Sequence, residues 1–144
     1  MATQEAFASR TAERTAVRRR PAVVALWTVQ VLLAVFLIVA SGLPKFAGQQ
    51  DAVETFTKIG WGQWFRYFTG VVEVAGGVGL LVPRLAGLAS LGLIGVMAGA
   101  VVTQVFVLEP AWAAFPAVLG VVFGVIAHAH RRETAALLDR VLRR

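Results

Sequence analysis

Four apolar runs, at about residues 22–43, 64–82, 85–107 and 111–128, dominate this chain of 144 residues. Each is close to the ~20 residues a helix needs to cross a bilayer core. Inside hydrocarbon a segment must satisfy its own backbone polar groups, so consecutive runs of this kind fold as helices. Charged residues make up only 15% of the chain and hydrophobic ones 58%, against about 25% and 45–50% in soluble domains. The expected fold class is therefore all-α: one polytopic membrane four-helix bundle over residues 21–130.

The net charge of +6 invites a nucleic-acid reading, but its distribution argues otherwise. Five arginines lie in residues 1–20, Arg84 lies in the second turn, and five more follow residue 130. Lys45, Lys58 and Arg66 are alone on the opposite side. An excess of basic residues in cytoplasmic segments is what orients membrane helices. Both termini are thus expected in the cytoplasm, with the chain multi-pass in a bacterial inner membrane and no nucleic acid bound. Trp61, Trp64, Tyr67 and Trp112 gather at the outer interface, where aromatic residues form a belt.

Residues 1–20 read as a disordered basic tail, too poor in apolar surface to fold alone. The basic front and the Ala40-Ser41 pair resemble a secretory signal. However, the apolar run exceeds the roughly 7–15 residues of a signal core, so an anchor that stays is expected. Gly42 and Pro44 are stop signals for the first helix. Asp51 and Glu54 suit a capped start, and Ala52, Val53, Phe56 and Ile59 share one helical face. Two outcomes stay open for residues 51–59: a short interfacial helix, or an ordered loop. Gly92, Gly95 and Gly99 share a face of the third run, the pattern that lets membrane helices approach closely. Residues 131–144 put Leu137, Leu138, Val141 and Leu142 opposite arginines. They lie on an anionic surface or trail as a helix.

The second run holds the chain's most costly residue. Glu73 sits at its middle, with Arg66 seven residues earlier on the same face and a rise of about 10 Å between them. Arg66, Thr69, Gly70, Glu73 and Gly77 form one polar and small-residue stripe. It reads either as a polar pocket that binds a ligand or handles a proton, or as interhelical hydrogen-bonding glue. Lys45 either reaches the same pocket or anchors at the headgroups. Gln30, Thr103 and Gln104 either join the polar core or bond to a neighbouring helix.

His128 and His130 point about 200° apart on a helix, so they lack the i,i+4 spacing of a chelating pair. Cysteine is absent, which removes disulfides and thiolate metal sites. No metal site is expected. The Gly-Gly-Val-Gly at residues 76–79 lies within an apolar run and reads as packing, not as a phosphate loop.

Three segments carry a family resemblance: Ser-Gly-Leu-Pro-Lys-Phe (41–46), residues 64–87 with Thr69-Gly70-x-x-Glu73, and residues 96–104 with Ala100-x-x-Thr103. Together they resemble the DoxX-like family, small four-span bacterial membrane proteins, over nearly all of residues 22–128. The resemblance implies a four-helix membrane bundle with Lys45 and Glu73 at signature positions, and association with quinone-linked membrane oxidoreductases. Many relatives have histidine where this chain has Gln104, so a role needing an imidazole there is not implied.

Three functions follow as expectations. The first is an accessory subunit of a quinone-linked system, not catalytic on its own and with no intrinsic cofactor. Its lipid- or quinone-like ligand would meet Lys45, Arg66, Glu73 and Gln104. The second is an assembly factor whose polar core is structural. The third is a membrane enzyme with Glu73 as acid or base. The expected partners are the lipid bilayer, a membrane oxidoreductase or other membrane protein, and a second copy of the chain.

Overall fold

A computed structural model describes Gln4 and residues 21–143; the expected tail at 1–20 otherwise lies outside the described residues. Six α-helical segments cover most of residues 21–143, with no strand among the described residues. Helix α1 runs Pro21–Ala47 and α2 Gln50–Ile59. Helix α3 is Gln63–Leu81, α4 Ala86–Phe106, α5 Ala114–Ala129 after a 3₁₀ turn at Pro110–Ala113, and α6 Arg131–Leu142.

Among the described residues three helical segments are long and apolar enough to cross a membrane: Pro21–Ala47, Ala86–Phe106 and Pro110–Ala129. Helix α3 has 19 residues and is long enough, but Arg66 and Glu73 lower its hydropathy. It is instead the most polar helix at the centre, packed between α1 and α4. Leu37 of α1, Leu80 of α3, Leu93 of α4 and Phe123 and Ile126 of α5 meet in one core from which solvent is excluded. The outward faces are apolar too. Val24, Leu32, Phe106 and Val121 are each at least 65% exposed, the arrangement expected where lipid replaces water.

Helix α1 does not stop at Gly42 and Pro44. Residues Phe36–Gly42 widen into a π-helix, and the Leu43 N–H donates to the Ile38 carbonyl five residues back. An α-helical Pro44 would drive its ring into a carbonyl one turn earlier. The wide turn relieves that clash, and Pro44 then sits at the start of the resumed α-helix, where its missing N–H costs nothing. The buried face records the change: Gln30, Ala34 and Leu37 recur at spacings of four and three, and the next buried residue, Gly42, is five further on. The helix ends instead at Gly48, in the left-handed region (φ 68), with its N–H on the Pro44 carbonyl. Gly48→Ala should lower stability by about 1 kcal/mol, read as a shift in thermal unfolding in detergent.

Close helix approach is built from glycines other than those singled out in α4. A Cβ added at Gly76 would lie 2.6 Å from the Leu93 side chain, and one at Gly77 would lie 2.9 Å from Ile38. Gly42 of α1 likewise abuts Val74 of α3. Gly92, Gly95 and Gly99 have nothing within 4 Å of an added Cβ and face outward. Their shared face points away from the core, so they do not set the contact between these helices.

Candidate functional site

Two buried polar clusters occupy opposite ends of the α1–α3 contact. The first joins the last turns of α1 to the middle of α3. Gly70 makes it possible: a Cβ there would lie 3.2–3.3 Å from Phe46 and Lys45, so the absence of a side chain lets α1 settle on α3. One turn further along α3, Glu73 meets the Lys45 ammonium, with Nζ 2.7 Å from Oε2. The Thr69-Gly70-x-x-Glu73 pattern is thus a contact surface followed by a carboxylate.

The pair is well shielded, with Lys45 and Glu73 side chains 15% and 7% exposed. Lys45 Nζ also donates to the Ser41 carbonyl at 3.0 Å and to Ser41 Oγ at 3.1 Å. Ser41 Oγ in turn donates to Glu73 Oε2 at 3.1 Å. All three ammonium protons therefore have acceptors. Glu73 is loaded on one side only: Oε2 receives both Lys45 and Ser41, and Oε1 receives no hydrogen bond from the described residues. In the sequence Ser41 stands only in the Ala40-Ser41 pair and at the start of the 41–46 motif, not as a site residue. Its place one helical turn before Lys45 is the feature that could have marked it.

Arg66 is buried on the same helix as Glu73, as its spacing suggests, but the two do not hydrogen-bond. Its Nη1 donates to the Lys45 carbonyl, one of the acceptors left over at the end of α1. Its Nε donates to Gln63 Oε1 at 2.7 Å, and its guanidinium lies 4.4 Å over the Tyr67 ring. Arg66 therefore holds the main chain that carries Lys45. Gln104 is elsewhere: its Oε1 accepts the Glu109 N–H at 3.4 Å and closes the turn after α4. Thr103 bonds back to the Gly99 carbonyl of its own helix. Of the four residues expected around a ligand, Lys45 and Glu73 are in contact, Arg66 acts behind Lys45, and Gln104, in the last turn of α4, fastens the turn that follows it.

The second cluster lies where α3 ends and α6 begins. Gln30 Nε2 donates to the Leu80 carbonyl at 2.9 Å, which leaves its Oε1 to face His130 Nε2 at 3.2 Å. That assignment makes Nε2 the protonated nitrogen of His130. Thr134 Oγ1 donates to the His130 carbonyl, and both residues pack over Gly87. His130 Nδ1 and Ser90 Oγ are buried here without a partner among the described residues. Gln30 thus bonds to neighbouring elements and takes no part in the Glu73 cluster. His128, by contrast, is exposed and hydrogen-bonds Arg131. No group of three or more His, Cys, Asp or Glu that could hold a metal occurs among the described residues.

Comparison with curated proteins and with solved structures finds no match. A family model described as the DoxX-like family matches residues 28–137, from the first third of α1 into α6, and so takes in both polar clusters. The apolar helices, the Lys45–Glu73 pair and this match agree: the chain belongs to the DoxX-like family and is a membrane protein.

Proposed function

We propose that the protein is an accessory subunit of a quinone-linked membrane redox system, and that Glu73 is its ligand contact. In this reading α3 crosses the bilayer with α1, α4 and α5, giving four spans in a bacterial inner membrane with both termini cytoplasmic. The single observation that carries it is the half-used carboxylate. Lys45 and Ser41 hold Oε2 in place, while Oε1 is left to accept a hydrogen bond.

That geometry states a preference between ligand forms. Every Lys45 donor is already engaged, so a quinone carbonyl would have to displace Ser41 to be recognised. A hydroxyl group, from a reduced quinone or a lipid headgroup, can donate to Oε1 without displacing Lys45 or Ser41 from Oε2. Where the ligand is a reduced quinone, Glu73 is positioned to receive one of the two hydroxyl protons released as it is oxidised. The second proton and both electrons would pass to a partner oxidoreductase, which this reading requires.

The saturated ammonium also favours a second reading, an assembly factor in which Lys45–Glu73 only locks α1 to α3. Native mass spectrometry of the purified protein, followed by extraction of its quinones and lipids, separates the two. Glu73→Gln keeps size and shape but weakens a charged acceptor worth about 1.5–3 kcal/mol. Under the ligand reading, retained quinol or hydroxyl lipid falls at least roughly tenfold. Unchanged retention would leave only the lock.

A further inference from the structure

We propose that α6 is a lipid-docked helix, and that its partner is the anionic headgroup layer of the leaflet in which α5 ends. The proposal draws on α5, α6 and the contacts that root α6, and is indifferent to what binds Glu73. Only His130 separates the two helices, with the chain bending there at φ −96 and ψ 12. A helix that directly follows a membrane-crossing segment begins at the interface.

The root of α6 is fixed to the protein. Thr134 is 8% exposed and packs over Gly87 so closely that an added Cβ would overlap its hydroxyl. His130 ties the same turn to Gln30 of α1. Thr134, Leu137, Leu138, Val141 and Leu142 share one face by helical spacing. Protein covers that face only at the root. Further along, Leu138, Val141 and Leu142 are 45%, 65% and 82% exposed.

The charge on the rest of the helix says what covers them. Arg131, Arg132, Arg140 and Arg143 stand against only two acids, Glu133 and Asp139. Arg132, Arg140 and Arg143 lie opposite the apolar stripe, and Arg131 lies at its edge, bonded to His128. A narrow apolar stripe with a cationic flank, held at the membrane surface, matches an anionic leaflet: the side chains reach the acyl boundary and the guanidiniums meet the headgroups.

The cysteine-free chain allows a direct test. The full-length protein with Val141→Cys carries one spin label and is placed in nanodiscs of phosphatidylcholine, with or without phosphatidylglycerol. With phosphatidylglycerol the label should collide with oxygen in preference to an aqueous nickel chelate. The ratio of docked to free label should fall roughly fivefold for each of Arg140→Gln and Arg143→Gln, and fall further in high salt. Both arginines are exposed, so neither change threatens the fold. A label that stays aqueous in phosphatidylglycerol discs overturns the proposal, as does equal docking in both lipids. So does a label shielded in detergent at twice the monomer mass, which would assign the stripe to a second copy.

Discussion

Lys45→Met should destabilise the protein by about 3–5 kcal/mol, the range found when one partner of a buried ion pair is removed. The size follows from what remains. Glu73 stays buried on α3, loses its 2.7 Å contact with Nζ, and keeps only the Ser41 hydroxyl as a donor. A buried charge with one weak partner is expensive because no water replaces the lost cation. The double variant Lys45→Met/Glu73→Leu removes both charges and fills the space with apolar atoms. It should recover most of the loss, since apolar replacement of a whole buried pair is often neutral or better. Chemical unfolding in mixed micelles of the two single variants and the double measures the coupling. A loss below about 1 kcal/mol for Lys45→Met would place Glu73 in contact with water and refute the buried-pair description. The double variant also bears on function: a folded protein that no longer retains quinol or hydroxyl lipid supports a ligand role for Glu73.

The second large effect lies at the α3–α4 contact. Gly76→Ala places a methyl group 2.6–2.7 Å from Leu93 Cδ2 and Cγ, well inside contact distance. Leu93 cannot swing aside, because it is fully buried against the core formed with Leu80, Phe123 and Ile126. The helices must separate or Leu93 must leave its rotamer, a penalty of about 1–3 kcal/mol. Leu93→Val on the Gly76→Ala background should return part of it, although Leu93→Val alone opens a small cavity and destabilises. Thermal unfolding of the four proteins provides the cycle. Additive losses would show that the two side chains do not compete for the same volume. Gly92→Ala is the matched control, since an added Cβ there meets nothing within 4 Å.

The helical class was legible from the apolar runs, and so were the two central charges, because a Lys and a Glu stand out against hydrocarbon. Their pairing stayed one of two readings of Lys45, because Gly42 and Pro44 mark a helix end by local signals. Only the π-turn carries the helix onward to Lys45. Arg66 and Glu73 do share a helical face, but position on a face does not say which way a long side chain extends. The free carbonyls at the end of α1 attract the guanidinium in one direction, and Lys45 occupies Glu73 in the other. The α4 glycines failed for a related reason. A stripe of small residues shows that a face could be approached, not that it is. Gln30 and His130 are 100 residues apart, and only the assembled helices bring them together.

The widened turn in α1 also makes the distance between the two polar clusters a matter of chain length. Gln30 and Lys45 are anchored at fixed points, one on Leu80 and one on Glu73, and the segment between them must arrive at both in the right rotational phase. Were Phe36–Gly42 to close into an ordinary α-helix with every residue kept, the segment would carry one residue more than that phase allows. Every side chain beyond it would then be carried about 100° around the axis. Lys45 would leave Glu73 although no residue at either cluster had changed. The ion pair is therefore encoded as much by the number of residues that precede it as by their identity.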